Sequence, residues 1–236
     1  MIRLKDFSVG YASRPLLGNV NASFSAGQLT ALIGRNGAGK STLLRALAGL
    51  HSDYSGKVLL NGLELDRMSC QEQARMLAFV TTERIRIPNF RCEDVVAMGR
   101  APYTNWIGRM QPVDRDIVME SIRSVGMESY ARRTMDTMSD GECQRIMIAR
   151  ALAQDTPVML LDEPTSFLDM PNRYELVSLL QSLAHDRGKC ILFSTHELDV
   201  ALQMCDTIAI VDDGQLLHLP VSDMVAGGHI QRLFTT

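Results

Sequence analysis

One loop near the start of the sequence carries the clearest chemical pattern. Residues 34–41 match G-x-x-x-x-G-K-[ST], with glycines, a lysine and a serine at the required spacing. Glycine adopts backbone angles closed to other residues, so successive N–H groups of such a loop can point inward and surround phosphate oxygens. Lys40 would bring a positive charge to the β- and γ-phosphates, and the Ser41 hydroxyl would reach Mg²⁺. The pattern predicts a site for a nucleotide and Mg²⁺.

The segments on both sides of the loop are the ones that this motif requires. Residues 29–33 are an apolar run that predicts a buried strand, and the residues from Thr42 onward predict a helix whose N-terminal end favours an anion. The residues expected to contact the nucleotide are Gly34, Arg35, Asn36, Gly37, Ala38, Gly39, Lys40, Ser41 and Thr42. Kinases, GTPases, helicases and transporter ATPases share such loops, so the loop alone leaves these classes open.

Two adjacent carboxylates follow a second apolar run. Residues 158–161 predict a buried strand, and Asp162 and Glu163 come directly after it. At the exposed tip of such a strand, Asp162 would lie near the phosphates and hold Mg²⁺, usually through water. Glu163 would polarise a water that attacks the γ-phosphate. The alternative is a strand that ends in a solvated acidic turn, which the phosphate loop in the same chain disfavours.

Composition narrows the class of protein. Of the 236 residues, 46% are hydrophobic and 22% are charged, which indicates a packed globular core. The net charge of −3 provides no electrostatic argument for binding nucleic acid. The five cysteines are scattered without a C-x-x-C pair, so the sequence predicts neither a disulfide framework nor a zinc site, and favours a reducing cytoplasm. No apolar run is long enough to span a membrane. If the protein works at a membrane, a partner would therefore hold it there.

The order of predicted elements indicates an α/β fold. Strands and helices alternate around the phosphate loop, which predicts a mostly parallel sheet, with antiparallel hairpins at the two ends. From about residue 83 to 145 the strand patterns disappear, and we expect a helical lobe inserted into a single domain that covers residues 1–236. Within this lobe, Tyr103 and Trp106 either pack in the core or form an exposed docking patch.

A resemblance to a known family rests on three further motifs. Ser139 and Gly141 lie in a Ser-x-Gly-Glu segment that continues with Gln-Arg and precedes a predicted helix over residues 146–153. Residues 162–169 read Asp-Glu-Pro-Thr-Ser-x-Leu-Asp, and His196 follows another apolar run. In this order the motifs resemble the ATP-binding-cassette (ABC) ATPases over essentially the whole chain. The resemblance implies a P-loop NTPase core with an N-terminal antiparallel β part and an inserted helical subdomain.

The resemblance also implies how the site works. It implies that Tyr11 stacks on the adenine of ATP and that His196 is a switch histidine that steadies the γ-phosphate. It further implies that two cassettes pair head to tail, so that Ser139 and Gly141 contact the ATP held by the other cassette. The chain would therefore act as a homodimer or beside a second cassette. The expected catalytic residues are Lys40, Glu163 and His196.

One position departs from the family pattern. After the predicted strand at residues 77–80, the family usually has a glutamine that touches Mg²⁺, and Thr82 takes its place here without a gap. Glu83 takes that place with a shift of one residue. Both side chains carry oxygen, which suits Mg²⁺. The expected metal ligands are Ser41, Thr82 and Asp162.

Residues 93–103 carry a narrower resemblance, to the ATPases of iron–siderophore, haem and cobalamin importers. That group implies peripheral attachment to the cytoplasmic face of the membrane through integral permease subunits. An extracytoplasmic binding protein would deliver the cargo. Two alternatives remain: an ABC transporter for another substrate, and a soluble ABC ATPase that acts outside transport.

Overall fold

The computed structural model describes residues 1–11, 14–83, 85, 87–104 and 109–234. Within these ranges the strands are β1 (Ile2–Tyr11), β2 (Arg14–Phe24), β3 (Gln28–Gly34), β4 (Tyr54–Leu60), β5 (Leu63–Glu64), β6 (Leu77–Val80), β7 (Val158–Leu161), β8 (Cys190–Ser194), β9 (Thr207–Asp212) and β10 (Gln215–Pro220). The α-helices are α1 (Lys40–Leu47), α2 (Cys70–Met76), α3 (Cys92–Ala97), α4 (Pro112–Ser124), α5 (Asp140–Ala153), α6 (Met170–Arg187), α7 (Leu198–Met204), α8 (Val221–Ala226) and α9 (His229–Phe234). None of the helices in the described ranges has the length and apolar character to cross a membrane.

The larger sheet has the order β10-β9-β3-β8-β7-β6. Its neighbours from β9 to β6 pair in parallel, and β10 pairs with β9 in the antiparallel direction. This confirms the predicted mostly parallel sheet. Because parallel strands end at the same edge, the carboxyl ends of β3, β6, β7 and β8 bring their following residues together.

The smaller sheet is antiparallel, with the order β2-β1-β4-β5. Helix α1 packs between the two sheets, because its leucines join one apolar core with both sheets. The other face of the larger sheet packs in a second core with α5, α6 and the helical region. Residues of β7 alternate between these cores, with Leu160 in the first and Leu161 in the second. Burial on both faces explains the unbroken apolar run in the sequence.

The chain between β6 and β7 is helical in its described part. It forms α3, α4 and α5 together with short 3₁₀ segments, of which Met98–Tyr103 follows α3 directly. The predicted start of a helix at residue 146 is wrong, because α5 already begins at Asp140. The cause is local: Ser139 and Glu142 form a reciprocal capping box that satisfies backbone donors at the start of the helix.

Candidate nucleotide-binding site

The phosphate loop connects the carboxyl end of β3 to the start of α1. Its glycines are required at two positions for different reasons. A Cβ on Gly34 would lie 2.4 Å from the Val211 carbonyl oxygen on β9, so a side chain there would clash with backbone. Gly39 has φ 108°, in the left-handed region that favours glycine. The backbone path of the loop therefore depends on glycine at positions 34 and 39, where a residue with a side chain would clash or be strained.

Lys40 lies at the centre of this loop and is almost completely buried. Its ammonium group donates hydrogen bonds to the carbonyl oxygens of Gly34, at 2.8 Å, and Arg35, at 3.3 Å. Burial lowers the pKa of Lys40, while the negative charges of Glu163 and Asp162 act in the opposite direction. The ammonium group is thus held by backbone carbonyls of its own loop, within the electrostatic influence of two carboxylates.

An open cleft of about 300 Å³ lies in front of the loop. Its lining residues are Tyr11, Arg14, Leu16, Asn36, Gly37, Gly39, Lys40, Ser41, Thr42, Glu163 and His196. Most of the predicted nucleotide and catalytic residues therefore share one cleft, although they come from distant parts of the sequence. Predicted residues that do not line it are Gly34, Arg35, Ala38, Thr82, Ser139, Gly141 and Asp162.

The side chain of Arg35 is directed away from this cleft. Its guanidinium donates to the Leu233 carbonyl oxygen on α9, at 3.3 Å from Nε and 3.2 Å from the second nitrogen. A cation beside the carboxyl end of a helix is a favourable arrangement. In this conformation, Arg35 can contact a nucleotide through its backbone but not through its guanidinium group.

Asp162 lies behind the cleft and is only 1% exposed. Its carboxylate accepts hydrogen bonds from three hydroxyls: Ser41 at 3.0 Å, Thr82 at 2.9 Å and Ser194 at 2.7 Å. Sequence analysis missed Ser194, although a hydroxyl residue at the end of an apolar strand, two positions before His196, was an available signal. A carboxylate surrounded by hydroxyl oxygens suits Mg²⁺, which prefers oxygen ligands and keeps several waters. The residues present therefore fit this metal.

The structure distinguishes between Thr82 and Glu83 as the residue that takes the place of the family's usual glutamine. Thr82 follows β6, whose partner strand β7 leads into Asp162, and so its hydroxyl contacts that carboxylate. Glu83 is exposed and forms an ion pair with Arg45 of α1 at 3.2 Å. The ungapped position, Thr82, is thus the one beside the predicted metal ligand.

Glu163 has an unusual backbone and a close partner. Its φ is 47°, a left-handed value that is uncommon for a residue with a long side chain. Its N–H donates to the Ser194 hydroxyl at 2.8 Å, and its carboxylate lies 2.7 Å from Nε2 of His196. Strained backbone of this kind concentrates at functional sites, where the surrounding structure holds it in place.

Tyr11 stands at the mouth of the cleft, with 52% of the residue exposed. Its hydroxyl lies 3.5 Å from that of Thr42, and its ring packs edge-on against His51 with ring centres 5.2 Å apart. The exposed ring provides an apolar surface of the kind on which a planar base can stack.

The predicted signature residues lie elsewhere, at the start of α5. The Ser139 hydroxyl donates to the Glu142 carboxylate at 2.9 Å and accepts from the Glu142 N–H at 3.3 Å. A Cβ on Gly141 would lie 3.1 Å from the Phe167 carbonyl oxygen, so glycine allows the segment after Glu163 to approach α5 closely. These two residues are thus separate from the cleft of their own chain.

The alternative of an exposed patch at Tyr103 is wrong for this residue. Its ring is partly buried, with the guanidinium groups of Arg100 and Arg75 at 4.1 Å and 5.5 Å from the ring centre. Arg100 is itself buried and pairs with Asp114 at 2.9 Å. The other predicted member of the patch, Trp106, lies outside the described residues.

Known proteins with similar sequences agree on one family. The family described as ABC transporter matches residues 17–166. An uncharacterised ABC transporter ATP-binding protein of Methanocaldococcus jannaschii is 40% identical over 217 residues, which cover 92% of this chain and 75% of that protein. The iron(3+)-hydroxamate import ATP-binding protein of Bacillus subtilis is 33% identical over 213 residues, covering 90% of this chain and 79% of that protein.

Solved structures agree with the sequences. A dimeric ATP-binding cassette in a post-hydrolysis state, bound to ADP and Pi, has a TM-score of 0.83 and 25% identity, covering 94% of this chain and 99% of its own. The residues matched by the family, 17–166, include the phosphate loop and both carboxylates. The chain described here is therefore a member of the ABC transporter family and, within it, an ATP-hydrolysing subunit.

Proposed function

We propose that this chain powers an importer for an iron(III) chelate, haem or cobalamin, working as a pair of cassettes on membrane permease subunits. The observation that carries its ATPase role is the single cleft shared by Lys40, Ser41, Glu163 and His196. The cargo class rests on the resemblance of residues 93–103 and on the named similarity to an iron(3+)-hydroxamate import subunit. We further propose one ATPase domain over residues 1–236, with residues 83–145 as its helical subdomain.

In this proposal, ATP lies with its phosphates on the phosphate loop and its base on Tyr11. Lys40 exchanges its two carbonyl contacts for oxygens of the β- and γ-phosphates, which are stronger acceptors because they are charged. Ser41, Thr82 and Asp162 would hold Mg²⁺, which would supply positive charge to neutralise the phosphates. The loop, the lysine and these oxygens thus fix the nucleotide for reaction.

The chemical step is attack of water on the γ-phosphorus. Glu163 accepts a hydrogen bond from that water and so directs a lone pair of the water oxygen at phosphorus. As the new P–O bond forms, the bond from phosphorus to the oxygen of ADP breaks, and the proton that the water loses passes to Glu163. Nε2 of His196 lies 2.7 Å from the Glu163 carboxylate in the ATP-free structure, and with ATP bound the same N–H would turn to donate to the γ-phosphate. Hydrolysis of ATP has two requirements: residues that neutralise the phosphates and a residue that directs the water.

We propose that a second cassette completes the site. Ser139 is exposed at the start of α5, a helix of 14 residues, and lies outside the cleft of its own chain. Backbone donors and the dipole at a helix start favour a phosphate. A second copy of this chain, or another cassette, would therefore present this end to the ATP. Hydrolysis would then remove part of the interface.

A second groove, which shares no lining residue with the ATP cleft, is our candidate contact for the permease. It has a volume of about 700 Å³ and lies between the end of α1, α2, β6 and the last turn of α5. Leu50 beside it is 65% exposed, and Arg150 contributes a buried Nε atom that has no hydrogen-bond partner in the described part of the chain. A helical loop with apolar residues and one carboxylate would satisfy both features.

The proposed permease contact and the signature lie on one helix. Arg150 is in the last turn of α5, and Ser139 caps its first turn. A contact at one end can therefore bias the position of the other without unfolding the helix between them. Peripheral attachment at the cytoplasmic face follows from this partner, with a binding protein delivering cargo on the opposite side.

The test of the transport proposal is to purify tagged Glu163→Gln protein from membranes of its own host in the presence of ATP. We expect an integral membrane subunit to copurify, and we expect Arg150→Ala in the same background to reduce its recovery. Recovery of only soluble partners, or none after mild detergent, would instead support an ATPase outside transport. The recovered subunits, reconstituted with their binding protein, would then be assayed with ferric hydroxamate, haem and cobalamin; uptake of none of them would overturn the cargo proposal.

A further inference from the structure

Ser194 occupies a position between the two carboxylates of the site. It is the last residue of β8, the strand beside β7, and it is completely buried. Its hydroxyl donates to Oδ1 of Asp162 at 2.7 Å and accepts from the N–H of Glu163 at 2.8 Å. One hydroxyl can donate once and accept twice, so Ser194 serves both neighbours at the same time.

We propose that Ser194 is a positioning residue that holds the metal-binding and the water-orienting carboxylates in one fixed relation. The inference rests on the roles proposed above for Asp162 and Glu163. It concerns a residue that touches neither nucleotide nor water and acts through the two that do.

The first part of this role concerns the orientation of the Asp162 carboxylate. Ser41 and Thr82 also donate to it, but their oxygens are the ones expected to turn toward Mg²⁺ when it binds. A hydroxyl on a metal keeps its hydrogen, but the positions of these two would also be set by the metal. Ser194 is buried behind the carboxylate and keeps its hydrogen bond, so it retains the orientation of the group throughout.

The second part concerns the Glu163 backbone. A left-handed φ of 47° is unfavourable for Glu163. The Ser194 hydroxyl accepts a hydrogen bond from the N–H of this same residue and so helps to hold the unfavourable backbone conformation. The direction of the Glu163 side chain, and hence its contact with His196, depends on that peptide plane. Displacement of a reacting group by about 1 Å can reduce a rate by about 100-fold.

The neighbouring hydroxyl does not share this arrangement. Thr195 is equally buried, but its hydroxyl accepts from the N–H of Glu197 at 3.0 Å, on the side of α7. Thr156 precedes the opposite end of β7, where its buried hydroxyl donates to the Val158 carbonyl oxygen at 2.7 Å. Thr156→Ala therefore removes a buried hydrogen bond beside the neighbouring strand β7 without touching the carboxylates.

The experiment compares Ser194→Ala, Ser194→Thr and Thr156→Ala as full chains. For Ser194→Ala we expect kcat to fall about 10- to 100-fold. We also expect the Mg²⁺ concentration for half-maximal binding of a fluorescent ATP analogue to rise several-fold, with binding in EDTA unchanged. Thr156→Ala should lower Tm by a similar amount and leave kcat and the Mg²⁺ dependence near wild type. Ser194→Thr retains the hydroxyl and should recover most of both losses.

Several outcomes would overturn the proposal. One is a Ser194→Ala protein whose kcat and Mg²⁺ dependence stay near wild type; another is an equal loss in Thr156→Ala. If Ser194→Ala does not fold, Ser194→Cys, which has nearly the same shape and weaker hydrogen bonds, is measured by the same criteria. Glu163→Gln is assayed in parallel. Full turnover in that variant would refute the proposed site itself, whereas an inactive Glu163→Gln beside a normal Ser194→Ala would refute only the role of Ser194.

Discussion

The phosphate-loop cleft and the start of α5 both carry residues predicted to contact ATP, but the chain builds them in opposite ways. At the cleft, the buried Lys40 is bound by carbonyl oxygens of its own loop, and the buried Asp162 behind it is bound by hydroxyls from distant parts of the sequence. At the start of α5, Ser139 is exposed and its hydroxyl is hydrogen-bonded to Glu142, three residues away.

The difference shows which part of the ATP site a single cassette can preorganise without a second one. Lys40 and Asp162 are held by buried hydrogen bonds before a ligand arrives, and such preorganisation is what catalysis by electrostatic stabilisation requires. The start of α5 keeps its donors at the surface, satisfied by its own cap. The proposed second cassette would make use of them. The following predictions separate these two regions.

The largest effect is expected at the water-orienting carboxylate. Glu163→Gln keeps the shape of the side chain but removes its charge, so we expect kcat to fall by about 100- to 10,000-fold. ATP binding should persist, and the protein should accumulate as an ATP-bound dimer. Phosphate release and size-exclusion chromatography with ATP measure these results, and hydrolysis at the normal rate would remove Glu163 from its role.

The next effect is on ATP affinity within one chain. Lys40→Ala removes a charged donor to the phosphates, and hydrogen bonds to charged groups contribute about 1.5–3 kcal/mol. We therefore expect the Kd of ATP to rise at least tenfold, as measured by titration with a fluorescent ATP analogue. Unchanged affinity would argue against the phosphate-loop assignment.

A matched pair of helix caps tests the second region. Ser139 and Ser69 both form capping boxes, with Glu142 on α5 and Glu72 on α2. Each change to alanine should cost about 1 kcal/mol of folding stability. Only Ser139→Ala should also lower ATP turnover, by about tenfold for a lost hydrogen bond to a charged group, while ATP affinity stays the same. Equal turnover in the two variants would contradict a role for Ser139 at the ATP of a second cassette.

The smallest effect is expected beside the metal site. Thr82→Val removes one hydroxyl near Asp162, and a hydrogen bond of about 0.5–1.5 kcal/mol predicts a two- to tenfold rise in the Mg²⁺ needed for ATP binding. Glu83→Gln, which breaks the exposed pair with Arg45, should leave the Mg²⁺ dependence unchanged. A larger effect of Glu83→Gln would mean that Glu83, and not Thr82, replaces the family's glutamine.

Sequence reasoning succeeded where the determining contacts are local. The phosphate loop lies within residues 34–41, and the strand before Asp162 is recognisable from four consecutive buried residues. One local boundary was still predicted too late. Ser139 is a good N-cap, but the helix was expected to begin at residue 146, because Gly141 and its polar neighbours lower helix propensity; the capping box of Ser139 outweighs that preference.

The sequence by itself determined the chemistry of the phosphate loop, because its glycines, lysine and serine act through a backbone path that they set among themselves. Only the tertiary structure decided which hydroxyls surround Asp162. Ser41, Thr82 and Ser194 are separated from it by 121, 80 and 32 positions, respectively. They meet because β3, β6, β7 and β8 end at one edge of the sheet, and the order of parallel strands depends on how whole elements pack, which no local pattern encodes.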